Sequence, residues 1–231
     1  MNLVEDTIKD IMSKNDKDNL STRAYEILKK QILTLALKPG DMLTEVELSE
    51  KLGISRTPIR SALQRLVMDS FVESIPKQGN FVAKLTVDSF VEVYQIREVL
   101  ELLSIKLAAL NWVDDEIDRL KKIVDKQNEL SGDMNLDTVD YLILDMEFHK
   151  TLSSISHNKL LYDEIVKVNE LYYRYNYYAT YKSRAKLTVS EHYKLIEAIE
   201  LRDIAASERM MKEHLAGVKE NILLGLLKFN N

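Results

Sequence analysis

The sequence predicts a mostly α-helical protein in two parts. A small head of three helices closed by a β hairpin comes first, followed by an all-α bundle of about six helices. Three observations carry this reading. Apolar residues recur at helical spacing along nearly the whole chain from residue 22. Strand-type runs are confined to residues 71–84. With 6 Gly and 3 Pro among 231 residues, turn formers are too few for an all-β sandwich or barrel. An apolar content of 45% is enough to bury a core.

The elements follow in order. Residues 1–19 are polar and charged with weak periodicity, and read as a flexible extension. Ala24, Ile27, Leu28, Ile32 and Leu35 place an amphipathic helix over about 22–35. Lys38-Pro39-Gly40-Asp41 is a turn. Thr44 and Glu47 have the spacing of a capping box, which starts a helix that runs to Leu52 and stops at Gly53. Ile54 fills the corner. Ser55 is placed to cap the next helix, with Pro58 in its first turn where no amide donor is needed. Helix, short Gly-containing turn and helix make a helix-turn-helix.

On its second helix Ile59, Leu63, Leu66 and Val67 form the apolar stripe, and Arg56, Thr57, Arg60 and Gln64 fall opposite. Guanidinium forks and hydroxyls are what base edges and phosphates accept. Phe71 to Ile75 and Phe81 to Lys84 flank a turn containing Gly79, so a hairpin follows as a wing. It brings Lys77, Gln78 and the Gly79 backbone toward phosphates or a minor groove. The head is therefore set at 20–84, with a short linker at 84–88 and the bundle over 89–231. Helices are expected near 88–110, 115–130, 137–155, 159–182, 188–201 and 204–228.

Charge agrees with this division. Residues 20–84 hold ten Lys/Arg against seven Asp/Glu, whereas 85–231 hold nineteen against twenty-five. A basic front and an acidic back suit a head that alone meets a polyanion. With 0 Cys there is no disulfide scaffold, Cys-zinc finger or thiol nucleophile, and the composition is compatible with a reducing cytosol. Neither a signal peptide nor an 18-residue apolar window is present, so no membrane span is expected and the location is expected to be cytoplasmic.

Three of the 4 His form a pattern. Asp145 and His149 stand at i, i+4 and share a helix face. His192 and His214 are equidistant from the turn at residue 203, so on antiparallel helices they reach the same height. One carboxylate and three imidazoles suit a divalent ion, Zn²⁺ or equally Ni²⁺, Mn²⁺ or Fe²⁺. The alternative for each is an ordinary core or surface histidine. His157, before Asn158 at a helix break, reads as a loop or capping residue. The stretch from Leu171 to Tyr181 holds six of the 11 Tyr. It reads as core and interface, or as hydroxyls lining a polar pocket with Arg174. Arg97 sits among apolar neighbours and needs an anion, either Glu101 or a bound acid. The charge-rich helix at 115–130 reads as a solvated face.

Leu37-Lys38-Pro39-Gly40-Asp41-Met42-Leu43, Glu45-x-Glu47-Leu48 and the run from Leu52 to Leu66 resemble the GntR-type winged-helix regulators, and the wing Gly79-Asn80-Phe81-Val82 fits too. The bundle resembles the FCD effector domain of the FadR-like branch. The matching residues are Ile96 to Glu101, Asp145-x3-His149, His157-Asn158-x-Leu160-Leu161, Glu191-His192 and His214. The resemblance implies a transcription regulator, not an enzyme, that binds a palindromic operator in double-stranded DNA as a homodimer under control of a small molecule in the bundle. It implies that Arg56, Thr57, Arg60 and Gly79 touch DNA, and that Asp145, His149, His192 and His214 hold the metal. Fatty-acid-responsive members carry an Arg where this chain has Val46, so their operator is not transferred. Arg97, Arg174 and Tyr175 are the candidates for contact with the effector, expected to be a small organic acid. A metal sensor, in which the ion is itself the signal, uses the same ligands. A metalloenzyme would need a general base, and no motif supplies one.

Overall fold

The computed structural model describes residues 20–132, 138–178 and 184–229. Residues 1–19, the end of the helix expected to reach 182, and the break at Asp133 lie outside them. The chain divides after Lys84 into two compact units.

The first unit holds α1 (Leu20–Leu33), β1 (Met42–Leu43), α2 (Glu45–Leu52), α3 (Arg56–Met68), β2 (Val72–Ile75) and β3 (Gly79–Val82). Helix α1 ends two residues before the expected Leu35, because Leu35 takes a left-handed φ of 55° that a helix cannot continue. Pro39 and Gly40 then reverse the chain, Gly40 at φ 89°. The Gly40 amide donates to the Val82 carbonyl at 2.8 Å, which fastens this turn to β3.

That contact explains an element the sequence reading did not contain. The expected hairpin is a three-stranded antiparallel sheet in the order β1-β3-β2, with Met42 opposite Phe81 and Val72 opposite Val82. Two residues carry no detectable alternation, so only the pairing defines β1. Ile27, Leu28, Ile32, Ile59, Leu63, Leu66, Phe71 and Val82 make the core of this unit. Ala62 is buried with them, so the inner face of α3 is wider than its branched residues alone indicated.

Among the described residues the second unit holds six helices: α4 (Val87–Asn111), α5 (Asp114–Ser131), α6 (Thr138–Ile155), α7 (Lys159–Tyr178), α8 (Ala185–Glu200) and α9 (Ile204–Phe229). Thr86 and Ser89 form a reciprocal capping box that starts α4 inside the stretch read as linker. Helix α4 packs against α6, α7, α8 and α9 and is the hub of the bundle. A helix covered on most sides must be apolar on most sides, and α4 is. Its remaining side leaves Ile96, Val99, Leu103 and Leu110 exposed.

Candidate nucleic-acid interface and metal centre

The turn between α2 and α3 is built by local chemistry. Thr44 caps α2 through its hydroxyl, which accepts from the Glu47 amide at 3.3 Å. The Glu47 carboxylate accepts a hydrogen bond from that hydroxyl at 2.9 Å instead of reaching back to the Thr44 amide. Gly53 closes α2 at φ 63°, where a side chain would be strained. The Ser49 hydroxyl donates to the Ile54 carbonyl at 2.7 Å and pins the corner. Ser55 takes the extended N-cap conformation before α3, but its side chain makes no capping bond.

Arg56, Thr57, Arg60 and Gln64 are all exposed on α3, away from the buried Ile59, Leu63 and Leu66. Arg65 is different: its guanidinium lies 4.1 Å over the Tyr25 ring and bonds Thr22, so it faces α1. Lys77 stands exposed at the tip of the wing, two residues before Gly79. Sequence reasoning missed one residue here. Glu45, the first residue of α2, accepts from Arg60 Nε and Nη2, both at 2.7 Å. The Arg60 hydrogen bond holds the Glu45 carboxyl below its usual range.

In the second unit His149 on α6, His192 on α8 and His214 on α9 converge. Their ring centroids are 4.9–5.6 Å apart, and one nitrogen from each lies within 4.8 Å of those of the other two. Neighbouring acceptors fix how two of these rings are protonated. The Asp145 carboxylate can only accept, so the Gln127 amide turns its Nε2 toward Asp145 (3.4 Å) and its Oε1 toward His192 Nδ1 (2.8 Å). His192 therefore keeps its proton on Nδ1. His214 Nδ1 likewise donates to Glu191 Oε2 at 2.8 Å. His149 Nδ1 lies 3.0 Å from Glu101 Oε1. The Nε2 atoms of His149 and His192 are buried with no hydrogen-bond partner.

Burial pushes His192 well below the ordinary histidine range, helped by His214 and His149, and it lowers His214 as well. Both rings are therefore neutral at neutral pH, the form that ligates metal. Asp145 stands beside the three converging histidines rather than among them, with Oδ1 3.7 Å from His192 Nε2, while its Oδ2 accepts from the Tyr173 hydroxyl at 2.8 Å. The residues thus fit a divalent ion: imidazole nitrogens with bare lone pairs, an adjoining carboxylate, and polar partners behind them. His157 stays apart, in a turn at φ 53°, 3.0 Å from Glu116.

Arg97 reaches this centre through Glu101. It is buried, with Nε 3.4 Å from Glu101 Oε1 and its guanidinium carbon 3.8 Å over the Tyr172 ring. Its Nη2 is buried without a hydrogen-bond partner. Asn169 donates to Glu101 at 3.2 Å. Burial alone would raise the Glu101 carboxyl, but His149, Arg97 and Asn169 hold it down at about 2. The tyrosines that meet this network are Tyr172 and Tyr173, not the expected Tyr175. Tyr175 bonds Ser89 at 2.9 Å and packs on Phe90. Arg174 is buried, but the helical turn puts it opposite the stripe of Asn169, Tyr172, Tyr173 and Asn176.

Behind His214, Arg184 makes a two-pronged contact with Glu191 at 2.6 and 2.9 Å. Its guanidinium lies against Gly217, where an added Cβ would overlap it. Because Glu191 pins that guanidinium, Gly217→Ala should cost about 1–3 kcal/mol by overpacking, offset by about 1 kcal/mol of helix propensity, a net loss read by urea denaturation. An unchanged midpoint would show that Arg184 swings away freely.

Two family models match this chain. The one described as bacterial regulatory proteins, gntR family, spans residues 20–82, and the FCD domain spans residues 92–217. The HTH-type transcriptional repressor RspR of Escherichia coli (strain K12) is 26% identical over 209 residues, which is 90% of this chain and 91% of that protein. The HTH-type transcriptional regulator YdhC of Bacillus subtilis (strain 168) is 29% identical over 193 residues, 82% and 85% of the two chains. The solved structure of E. coli McbR/YncC has a TM-score of 0.72 at 24% identity, covering 92% of this chain and 99% of its own, a likeness of fold.

Proposed function

Because this chain belongs to the gntR family of bacterial regulatory proteins and carries an FCD domain, we propose that it is a homodimeric repressor whose hold on a palindromic operator is set by a small organic acid bound at a divalent metal. It is a DNA-binding transcriptional regulator; the repression, the dimer on a palindrome, the ion and the effector are what we propose. RspR, similar over nine-tenths of the chain, is described as a repressor. Such a protein acts in the bacterial cytoplasm.

One observation carries the metal: bare, buried Nε2 atoms on His149 and His192 beside His214, with Nδ1 of His192 and His214 tied to acceptors. Leaving such groups unpaired is costly. His149, His192 and His214 with Asp145 would hold Zn²⁺, or Ni²⁺, Mn²⁺ or Fe²⁺. A bound ion supplies a positive, Lewis-acidic anchor for a carboxylate. Arg97, with an unpaired Nη2 in the same network, adds a second positive group for an acid. Tyr172, whose hydroxyl is buried without a hydrogen-bond partner, takes the place given to Tyr175. Arg174 has no part in this reading. A thermal-shift screen of small organic acids, with and without chelator, tests it. Stabilisation by long-chain acyl compounds alone would refute it.

A second copy is supported by α4. Ile96, Val99 and Leu103 stand 57%, 65% and 42% exposed at i, i+3 and i+7, an apolar seam unusual on a solvated helix. A dimer places two α3 helices on two half-sites, which a palindrome requires. Arg56, Thr57, Arg60 and Gln64 read the groove, with Lys77 and the Gly79 backbone on the flank. Arg60→Ala should weaken operator binding by about 1–3 kcal/mol in gel shifts. Equal affinity would remove α3 from the interface.

A further inference from the structure

Arg60 and Glu45 are joined by two 2.7 Å hydrogen bonds although their side chains are 63% and 27% exposed. An exposed ion pair contributes little to folding. A bidentate pair is the exception that can add some stability, and it also fixes where the guanidinium points. The hydrogens used tell where. Arginine has five N–H groups, and Glu45 takes Nε–H and one Nη2–H. What remains is the outer edge, Nη1 with the second Nη2 hydrogen. Two parallel N–H groups on that edge match the O6 and N7 acceptors of guanine. They would also match a phosphate, but the Glu45 carboxylate beside them repels phosphate oxygens and tolerates a base edge, where cytosine N4 is a donor.

We propose that Glu45 is a specificity-determining residue: it clamps the Arg60 guanidinium so that its outer edge reads one guanine in each half-site. Clamping freezes the long side chain before DNA arrives, so less freedom is lost on binding. The pair is also self-consistent in sequence. Glu45 opens α2 where the helix dipole favours an acid, and Arg60 sits one turn into α3, so the turn at Gly53 brings them together. The inference rests on α3 reading DNA, and its test keeps the two apart.

The full-length protein first selects its operator from a random-sequence duplex pool. Fluorescence anisotropy then compares wild type, Arg60→Ala, Glu45→Gln and Glu45→Asp on that operator, on the same duplex with single G·C pairs changed symmetrically to A·T, and on a scrambled duplex. Wild type should prefer one G·C pair per half-site by about tenfold or more. Glu45→Gln should lose most of that preference while binding scrambled DNA as well or better, since a negative charge is gone. Glu45→Asp should recover part of it. Thermal midpoints should match wild type, which a merely structural role would not allow. Glu45→Gln that keeps full discrimination overturns the proposal, even if it binds tighter, because Glu45 is then only a brake on affinity. Arg60→Ala that binds every duplex like wild type overturns it too, and with it the assignment of α3.

Discussion

Dialysed against a chelator, the protein should lose about 2.7–4.1 kcal/mol of stability relative to protein held at free zinc 100 to 1,000 times Kd, and zinc should restore it. Thermal melting of the helical unit reads this. The physical reason is what the centre contains without an ion. Buried Nε2 lone pairs on His149 and His192 have no donor, and the single proton of neutral His192 and of His214 is already committed at Nδ1 to Gln127 and Glu191. An ion that binds only the folded state converts that deficit into stability. His149→Gln separates this from general damage. It should melt at one temperature with zinc or chelator, wherever that temperature lies. His192 is a poorer choice, because its ring stacks on Phe148 at 3.8 Å and truncation would also open a cavity. Chelated and zinc-loaded wild type melting together would end the metal assignment. The same samples decide the signal. If zinc alone changes operator affinity, the ion is the message; if only zinc with an organic acid does, the acid is.

Arg97→Met should be the most damaging single change in the bundle, at about 3–5 kcal/mol, because it leaves Glu101 buried without its guanidinium. Both side chains are buried, and Glu101 is fully enclosed. Replacing both, as Arg97→Met with Glu101→Leu, should regain most of the loss, since no charge is then stranded. Urea denaturation of the three proteins forms the comparison. A single variant within about 1 kcal/mol of wild type would show that His149 and Asn169 suffice to hold the carboxylate. Acid behaviour follows from the same group. Glu101 is held at about 2 in the folded chain against an ordinary 4.5. A depressed carboxylate contributes fully above its unfolded pKa and loses that contribution as pH falls toward the folded one. In metal-free protein, stability due to Glu101 should fade between pH 4.5 and about 2, and Glu101→Gln should flatten that limb.

The head was legible because its signals are local. Thr44, Gly53, Pro58 and the stripe of Ile59, Leu63 and Leu66 each act within a turn or two of the backbone, and the same rules operate in a peptide. Bundle helices were legible for the same reason, with described ends within a residue or two of those expected except for α8, which starts at Ala185, three residues before the expected 188. Even the meeting of His192 and His214 could be read, since two helices leaving one turn keep equal distances in register.

What the sequence by itself determined, then, is the set of helices and the wing hairpin, the exposed face of α3 and which imidazoles share a height in the bundle. Tertiary structure alone decided the rest. It made a strand of Met42 and Leu43, set Gln127 and Glu191 behind the histidines, joined Glu45 to Arg60, and turned Tyr172 and Tyr173 rather than Arg174 and Tyr175 toward Arg97. The division has one physical cause. Periodicity fixes which residues share a side of a helix, but a helix as crowded as α7 has several sides that could be buried. Which one meets a given partner is settled only when segments distant in the chain pack together and every buried donor must find its acceptor.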